Sequence, residues 1–394
     1  MNLFYWIAGG ILGLAWLSRV IDAGFGARTI DDISAPEWDR DPQAEDRFPR
    51  LSIIVPGRDE QATVAECLGR LLNQDYANLE IIAVDDRSTD STAALMDEVA
   101  ANAAQRRGEG ALRVLHIQDL PAGWMGKVYA MWSASQQASG DWLLFTDADI
   151  MFEPSCVRRA LAYAEHIDAD HLVVFPRVNM GSVGERMMIG FFQMLFLFGH
   201  RPWKVADPKT KDYIGVGAFN LIRRSVYDAI GTYRAVRMEV LDDMKLGKLV
   251  KDHQFRQRVA YGYDLLSLRW AESAMGVVQN LTKNLFAVLQ FKLLKSLGAC
   301  FALLFLNLFP FVGIFLAHGW SKLGYALALA SMLVLYFSRW ERESISPLYF
   351  FLHPVSTLLF LYGLLRSMFL TLRQGGVIWR GTLYPLEELK KGIV

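Results

Sequence analysis

Cysteine is scarce in this chain, and neither sign of charge prevails. The 394 residues include 3 cysteines, and 41 basic residues balance 41 acidic residues. Cys67, Cys156 and Cys300 have no zinc-motif spacing and are too few for a disulfide framework, which fits a cytosol-facing domain. The balanced charge supplies no polycationic surface, so we expect no nucleic-acid partner.

Apolar residues are abundant instead, at 53% of the chain, and the mean hydropathy of +0.19 is high for a soluble domain. Residues 3–21 form an apolar stretch that is long enough to span a bilayer. Because this stretch lacks the basic start and small-residue cleavage site of a signal peptide, we predict a retained anchor. Further candidate spans are residues 298–318, 321–338 and 348–372. Residues 187–199 are apolar but short, which favours an interfacial helix or an acceptor groove.

These segments predict the organisation of the chain. In order, they are a transmembrane anchor (1–22), a proline-containing linker (23–50), a globular domain (51–280), an interfacial helix (281–297), transmembrane helices (298–372) and a tail (373–394). Three crossings in residues 298–372 would leave the tail on the far side of the membrane from the globular domain. The sequence leaves open whether this segment makes two or three crossings.

Acidic residues follow three apolar runs of the globular domain. The runs LSIIVP (51–56) and LEIIAV (79–84) are typical of buried parallel strands, and each precedes a helical pattern. The third run, LLFTDADI (143–150), ends in two carboxylates. Because ligands bind beyond the carboxyl ends of parallel strands, we expect the three acidic clusters to share one edge of a sheet.

The third run carries the most informative pair, Asp147 and Asp149. Two carboxylates one residue apart suit a hard divalent cation, which prefers oxygen ligands and bridges phosphate oxygens. The alternative is a turn or a helix cap, since aspartate is common in both.

The strings VPGRDE, VDDRSTDST and FTDADI, in this order, resemble the nucleotide-sugar-binding half of family 2 glycosyltransferases. The resemblance covers roughly residues 50–260. It implies an α/β fold, namely a GT-A domain with a doubly wound mixed sheet, flanked here by transmembrane helices. The globular domain would then be catalytic.

The resemblance also implies roles for individual residues. The first loop, with Pro56, Asp59 and Glu60, would hold the base or ribose of the donor, and Asp85 or Asp86 would contact uracil. Asp147 and Asp149 would hold Mg²⁺ or Mn²⁺ on the donor diphosphate, with Asp149 the surer ligand. The alternative for DDRSTD is a helix N-cap at Ser88 or Asp90.

A fourth motif lies in residues 215–251, where a glycine-rich segment precedes a helix that is predicted to begin near Leu241. Relatives carry Glu-Asp-x-x-Leu here, and this chain has Asp242 and Asp243 in place of Glu-Asp. The resemblance makes Asp243 the catalytic base and Asp242 its supporting acid, because an inverting transfer needs a carboxylate to take the acceptor proton. The alternative is that both acids complement a helix dipole.

Two further residues precede the third run. Lys127 stands where relatives have Gly-Lys before a helix, which suggests a contact with phosphate or sugar. A solvated loop lysine is the alternative. Trp124 would stack on a sugar ring or pack in the interior.

Many processive and ceramide-type relatives carry Gln-x-x-Arg-Trp after the base, but only Arg269 and Trp270 of that signature are present. They remain donor-site candidates, and the missing glutamine disfavours polymer synthesis. Residues 374–385, QGGVIWRGTLYP, resemble the closing segment of bacterial lipid-linked relatives, including hopanoid-associated glycosyltransferases. Trp379 and Arg380 would close over the donor diphosphate, or would anchor the tail at a membrane interface.

Together these features predict a membrane-bound, metal-dependent, inverting glycosyltransferase. It would move one sugar from a nucleotide diphosphate donor, expected to be a UDP-sugar, to a lipid hydroxyl and so form a glycolipid. We expect an integral membrane protein of the bacterial inner membrane with a cytoplasmic catalytic domain. In this it resembles membrane-bound bacterial relatives of the ceramide glucosyltransferase-like type. The alternatives are a processive polysaccharide synthase and a non-catalytic nucleotide-sugar-binding membrane protein.

Overall fold

The computed structural model describes residues 2–42, 48–108, 110–338 and 345–393, and the chain divides into two compact units. The helical unit comprises Met1–Thr29, Met180–Trp203 and Trp270–Ile378. The sheet unit comprises Ile30–Asn179, Lys204–Arg269 and Trp379–Val394. The last segment of the chain therefore belongs to the sheet unit, although the segment before it belongs to the helical unit.

The described strands are β1 (Leu51–Gly57), β2 (Leu79–Asp86), β3 (Arg113–Ile117), β4 (Trp142–Phe145), β5 (Met151–Phe152), β6 (His171–Phe175), β7 (Arg177–Val178), β8 (Asn220–Arg223), β9 (Gln257–Tyr261), β10 (Leu266–Leu268), β11 (Gly376–Trp379) and β12 (Thr382–Pro385). The main sheet has the order β3-β2-β1-β4-β8-β6-β9. β1 to β4 are parallel, whereas β8 is antiparallel to β4 and β6. The sheet is therefore mixed, as expected.

The apolar runs form the central strands of this sheet. All of β1 and nearly all of β2 are buried, which explains their near-continuous apolar sequence. Gly57 at the end of β1 pairs with Asp85 of β2, and Ile54 of β1 pairs with Phe145 at the end of β4. The register therefore brings the segments that follow all three strands to one edge, which confirms the expected meeting of the acidic clusters.

The described α-helices are α1 (Asn2–Gly26), α2 (Val64–Leu72), α3 (Thr92–Arg107), α4 (Gly126–Ser135), α5 (Cys156–His166), α6 (Val183–His200), α7 (Arg224–Ala229), α8 (Asp242–Asp252), α9 (Ala274–Val288), α10 (Leu293–Leu303), α11 (Phe309–Leu316), α12 (Lys322–Ser338), α13 (His353–Gln374) and α14 (Leu386–Lys391). A π-helical turn, Leu304–Leu308, joins α10 to α11. In the helical unit, four described segments are long and apolar enough to cross a bilayer: Leu3–Thr29, Leu293–Leu316, Gly319–Ser338 and Pro347–Gln374.

Some boundaries differ from those that the sequence predicts. The segment taken as an interfacial helix, 281–297, contains the end of α9 and the start of α10, with a break between them. Much of the segment taken as a linker packs on the sheet unit, where Ile33 is buried and its backbone N–H donates to the carbonyl of Tyr261 at 2.9 Å. This contact covers the edge of β9, which would otherwise be unpaired there. Residues 43–47 of that segment lie outside the described residues.

Candidate active site

The loops that follow β1 and β2 are tied to each other through Asp59. Its carboxylate accepts hydrogen bonds from the backbone N–H of Thr89 at 2.7 Å and from the Thr89 hydroxyl at 3.1 Å. The backbone N–H of Asp59 donates to the Ser88 hydroxyl at 3.1 Å. One Asp59 oxygen is thus engaged within the protein, so any donor contact of this residue falls to the other oxygen.

Two residues of these loops have a left-handed backbone conformation. Asp59 has φ of 56° and Arg87 has φ of 58°. This region is unfavourable for residues with a side chain, and such strain tends to collect at functional sites. Contacts with the surrounding residues must therefore stabilise the left-handed backbone conformation of both loops.

Asp85 and Asp86 are both buried at the end of β2, and each has a cationic or polar neighbour. An Asp86 oxygen lies 2.8 Å from Nε of Arg87, and an Asp85 oxygen lies 3.4 Å from Nδ1 of His116. Burial alone would lower the pKa of His116, but hydrogen bonds to Asp97 and Asp85 outweigh it and raise that pKa. The end of β2 thus carries an acidic cluster whose charge is partly balanced.

The structure does not place the N-cap of α3 at Ser88 or Asp90, because the N-cap is Ser91, which makes no side-chain capping hydrogen bond. Asp90 lies one residue before the N-cap, and its carboxylate accepts the backbone N–H of Thr92, the first residue of α3, at 2.9 Å. Asp90 therefore supports the start of α3 without being its N-cap.

The Asp147–Asp149 pair lies in the segment after β4 and is anchored to the glycine-rich segment. The backbone N–H of Asp147 donates to the carbonyl of Gly217 at 3.1 Å, and the Thr146 hydroxyl donates to the carbonyl of Ala218 at 2.7 Å. A Cβ on Gly217 would lie 2.5 Å from an Asp147 oxygen, so a larger residue there would displace the Asp147 carboxylate.

Asp149 is the least compensated acid of this edge. Its Oδ1 is buried and makes no hydrogen bond within the described structure. Burial, followed by repulsion from Asp147, raises the pKa of Asp149 to about 7. A buried, unpartnered carboxylate oxygen is costly, and an added cation would remove that cost.

Within the described residues, no group of three or more histidine, cysteine, aspartate or glutamate side chains is arranged to enclose a metal ion. The donor set nevertheless fits a hard cation that takes few protein carboxylates and completes its shell with phosphate oxygens and water. The unpartnered oxygen of Asp149 points to this kind of open site rather than to a closed structural one.

The second acidic pair, Asp242 and Asp243, occupies the first turn of α8, whose N-cap is Leu241 as the sequence predicts. Burial, followed by repulsion from Asp242, raises the pKa of Asp243 to about 6. A carboxylate with this pKa is mostly ionised at neutral pH and still basic enough to accept a proton. The helix-dipole alternative also fits the position of the pair.

Lys127 in the first turn of α4 joins the two acidic pairs. Its ammonium lies 2.5 Å from an Asp147 oxygen and 3.9 Å from an Asp242 oxygen. Burial alone would lower the pKa of Lys127, but Asp147, Asp242 and Asp243 together outweigh it and raise that pKa. Lys127 is therefore not a solvated loop lysine, and its charge is held at the centre of the site.

The C-terminal tail contacts the same edge. The Arg380 guanidinium pairs with the Glu60 carboxylate, and the Arg58 guanidinium donates to the Thr382 hydroxyl at 3.2 Å. The Tyr384 hydroxyl accepts the backbone N–H of Gly126 at 3.0 Å. The tail therefore touches both the loop after β1 and the start of α4.

Comparison with known proteins identifies this arrangement. Residues 52–243 match Glycosyl transferase family 2. The chain contains a family 2 glycosyltransferase domain. It is 22% identical to the 4,4'-diaponeurosporenoate glycosyltransferase of Staphylococcus aureus (strain MRSA252) over 350 residues, which cover 86% of this chain and 89% of that protein. The protein is a glycosyltransferase.

One solved structure supports the fold. The chain is similar to mannosyltransferase PcManGT from Pyrobaculum calidifontis, solved in complex with GDP-Man and Mn²⁺, with a TM-score of 0.51 and 17% identity over 90% of this chain and 99% of that chain. The crystal structure of S. aureus TarS 1-349 in complex with UDP-GlcNAc is a weaker match, with a TM-score of 0.38 and 16% identity over 83% of this chain and 92% of that chain, and it adds nothing to the fold assignment. The sheet unit of this glycosyltransferase has the GT-A fold.

Other predicted site residues of the glycosyltransferase lie in different surroundings. Trp270 belongs to the helical unit and packs on Phe192 of α6, with ring centroids 5.0 Å apart, and Arg269 directly follows β10 in the sheet unit. Pro56 is buried within β1. Trp124 packs on Trp132 at 5.0 Å, which favours the packing interpretation. Trp379 ends β11, and its predicted role stays a prediction, as do those of Arg269 and Trp270.

Three residues of the edge escaped the sequence reasoning: Arg87, His116 and Tyr384. A signal was available for two of them, because Arg87 directly follows Asp86 and Tyr384 lies within the C-terminal motif QGGVIWRGTLYP. His116 is the fourth residue of β3 and had no such signal, because only the pairing of β3 with β2 brings it to Asp85.

Proposed function

We propose that this glycosyltransferase is a membrane-bound, metal-dependent, inverting enzyme that transfers one sugar from a nucleotide diphosphate donor, expected to be a UDP-sugar, to a lipid hydroxyl. The observation that carries the proposal is the position of Lys127, which lies within ion-pair distance of Asp147 on one side and of Asp242 on the other. Lys127 thus places one fixed positive charge between two acids that would bind a cation, Asp147 and Asp149, and two that would supply the base, Asp242 and Asp243. Such a site suits transfer from a diphosphate leaving group.

Each group has a task in this mechanism. Asp86 and the loop after β1 bind the nucleoside, and Asp149 with Asp147 holds Mg²⁺ or Mn²⁺. When bound, the cation neutralises charge that develops on the departing diphosphate. Lys127 adds a fixed positive charge at the same place, and Asp243 takes the proton from the acceptor hydroxyl.

Two observations support a lipid acceptor at a membrane. Four segments of the helical unit have the length and composition of membrane spans, and α6 and α12 expose large apolar side chains such as Val183 and Phe337. The relative from S. aureus is named as a 4,4'-diaponeurosporenoate glycosyltransferase, and a carotenoid acceptor is lipid-like. The free cysteines, with buried thiols at Cys67 and Cys156, suit a sheet unit on the cytoplasmic side of a bacterial inner membrane.

The test is an assay of purified full-length protein with radiolabelled UDP- and GDP-sugars and lipids extracted from the native membrane. We expect label from one donor to enter the organic phase in a product that carries a single sugar. The Asp243→Asn variant, which keeps the shape of the side chain, is the control and should give little product.

Other outcomes would contradict the proposal in different ways. A ladder of products would indicate a processive synthase. Tight binding of a nucleotide without product under any lipid condition would indicate a non-catalytic binding protein. Full activity in excess chelator would remove the metal from the mechanism.

A further inference from the structure

The contacts of the C-terminal tail limit how many of the candidate spans can cross the membrane. Arg380, Thr382 and Tyr384 contact other residues of the sheet unit. Three candidate spans, Leu293–Leu316, Gly319–Ser338 and Pro347–Gln374, lie between Arg269 of the sheet unit and this tail. Three crossings would leave the tail across the membrane from its own contacts. An even number of these segments must therefore cross, a step that rests on the membrane location proposed above.

The packing of α1 on α12 fixes the direction of two helices. A Cβ on Gly9 would lie 3.2 Å from the carbonyl of Ser321, and a Cβ on Gly13 would lie 2.7 Å from the carbonyl of Gly324. Further along, Trp16 of α1 and Tyr336 of α12 both pack on the ring of His353, at 6.3 and 6.0 Å between centroids. Contacts advance along both helices together, so α1 and α12 run parallel.

This direction assigns the two ends of α12 to the two sides of the membrane. α1 is followed at once by Ala27–Thr29 and then by Ile30, the first residue of the sheet unit. Its C-terminal end is therefore on the side of the sheet unit, and so is the end of α12 at Ser338. The sequence between α12 and Ile345, RWERES, carries four charges and suits a polar medium.

The segment Pro347–Gln374 consequently begins and ends on the side of the sheet unit. Its helix, α13, packs on α6, α9, α10 and the π-helical turn of the helical unit. The Ser356 hydroxyl lies 3.4 Å from the Met187 carbonyl of α6, and the backbone N–H of Phe286 in α9 donates to the Ser367 hydroxyl at 3.0 Å. α6 is itself a single helix between Asn179 and Lys204, which both belong to the sheet unit, so α6 does not cross either.

α13 also has the surface of a helix that lies along a membrane. One face is buried in the unit and carries small polar side chains, among them Ser356, Thr357, Ser367 and Thr371. The opposite face exposes an apolar stripe at alternating spacings of three and four residues, which we name the α13 stripe: Val355, Leu358, Tyr362, Leu365, Phe369 and Leu372.

We propose that α13 lies in the membrane interface on the side of the sheet unit, with the α13 stripe inserted among the lipids of that leaflet. The crossing segments are then α1, the α10–α11 segment and α12. The partner of the stripe is the lipid surface itself, and α13 leads the chain along that surface to the tail that meets the donor loops.

The first test locates three positions by cysteine labelling in the full-length chain. Cys67 and Cys156 are buried, so a Cys300→Ser background leaves no thiol on the surface. Single cysteines are placed at Lys209 in the sheet unit, at His318 between α11 and α12, and at Gln374 at the end of α13, which are all exposed. A membrane-impermeant maleimide is applied to inverted vesicles and to spheroplasts. We expect Lys209→Cys and Gln374→Cys to react in the same preparation and His318→Cys in the other.

The second test measures depth. Nitroxide labels at Val355→Cys, Leu365→Cys and Leu372→Cys in bilayer nanodiscs report their distance from the headgroups, and each variant is first checked for an unchanged melting temperature. Residues 355 and 372 are about 26 Å apart along the helix. We expect all three labels at one depth within about 5 Å, the length of one helical turn.

Each alternative has its own signature. Gln374→Cys that reacts together with His318→Cys, or a label at 365 much deeper than those at 355 and 372, would mean that α13 crosses and would overturn the proposal. His318→Cys that reacts together with Lys209→Cys would overturn the assigned direction of α12. Release of the protein from membranes by carbonate alone would refute both this proposal and the membrane location. If the labelling is as expected but the wild-type protein transfers no sugar, only the proposed function is refuted.

Discussion

The two acidic pairs of the active site are compensated differently. Asp149 keeps a buried oxygen without a hydrogen-bond partner, and burial raises its pKa to about 7. Asp243 has a pKa of about 6 and accepts the backbone N–H of Met244 at 2.7 Å. In the first pair Lys127 compensates Asp147, but the unpartnered oxygen of Asp149 is left for a bound cation, whereas Asp243 of the second pair can take a proton near neutral pH. This difference supports the proposal that the first pair binds the cation and the second supplies the base.

Removing the cation-binding acid should have the largest effect. Asp149→Ala should lower turnover by roughly 10³ or more, because a cation at a leaving diphosphate contributes several kcal/mol to the transition state. Turnover is measured over a Mn²⁺ titration, and the melting temperature is measured with UDP and Mn²⁺ present. The variant should fold as the wild type does but lose the Mn²⁺-dependent rise in melting temperature. A variant that retains this rise would show that the cation binds elsewhere.

The role of Asp242 and Asp243 can be tested with substitutions that keep the shape of the side chain. Asp243→Asn should lower turnover by roughly 10² or more while UDP still binds, because it removes the proton acceptor and keeps most polar contacts. Asp242→Asn is the matched neighbour and should be milder. If both acids only complement the dipole of α8, each variant should lose about 1 kcal/mol of stability or less and keep its rate per folded molecule.

The pKa of Asp243 predicts the acid limb of the pH profile. The base acts only when it is ionised, so kcat/KM should fall about tenfold for each pH unit below about 6 and should be insensitive to this group well above 6. The measurement is kcat/KM for the acceptor between pH 5 and 8 at saturating Mn²⁺. A flat profile down to pH 5 would contradict the assignment of Asp243 as the base.

An acid outside both pairs should affect binding rather than chemistry. Asp86→Ala should weaken UDP binding about tenfold or more with little change in saturated turnover, because a contact to the nucleoside persists from the ground state to the transition state. Asp228→Ala, at an exposed position of α7, is the control. Equal dissociation constants for UDP in Asp86→Ala and wild type would remove Asp86 from the donor site.

The sheet was predictable where the signal is local. The runs at β1, β2 and β4 carry their own burial pattern, and parallel strands end at one edge, so the meeting of Asp86 and Asp149 near that edge followed from sequence. The insertion of β8 between β4 and β6 was not predictable, because pairing between strands distant in sequence leaves no periodic trace in either.

The connections within the site were harder to predict for the same reason. Lys127 was named, but its contact with both Asp147 and Asp242 depends on how α4 and α8 are placed. The tail was named for Trp379 and Arg380, yet Tyr384 makes the contact with α4, 258 residues away in sequence. Motifs identify which residue types are available, and only tertiary packing decides which of them meet.

Substitution of Tyr384 should have the smallest effect on the two acidic pairs. The Tyr384 hydroxyl contacts Gly126, the first residue of α4, and the second residue, Lys127, contacts both pairs. Tyr384→Phe removes only the hydroxyl that accepts the N–H of Gly126, and an unsatisfied buried N–H costs about 1 to 3 kcal/mol. If the start of α4 shifts in response, Lys127 loses its position between the pairs. We therefore expect a several-fold rise in KM for the donor and a smaller fall in kcat.

Tyr362→Phe, on the exposed face of α13, is the matched control and should change neither constant. A lower melting temperature for Tyr384→Phe with unchanged KM and kcat would make the contact purely structural. If Tyr384→Phe raises the KM for the donor and the Mn²⁺ concentration for half-maximal activity is unchanged, the substitution affects donor binding. If that Mn²⁺ concentration rises, the substitution affects the contact between Lys127 and Asp147. The same substitution thus distinguishes which of the two acidic pairs depends more on the position of the lysine.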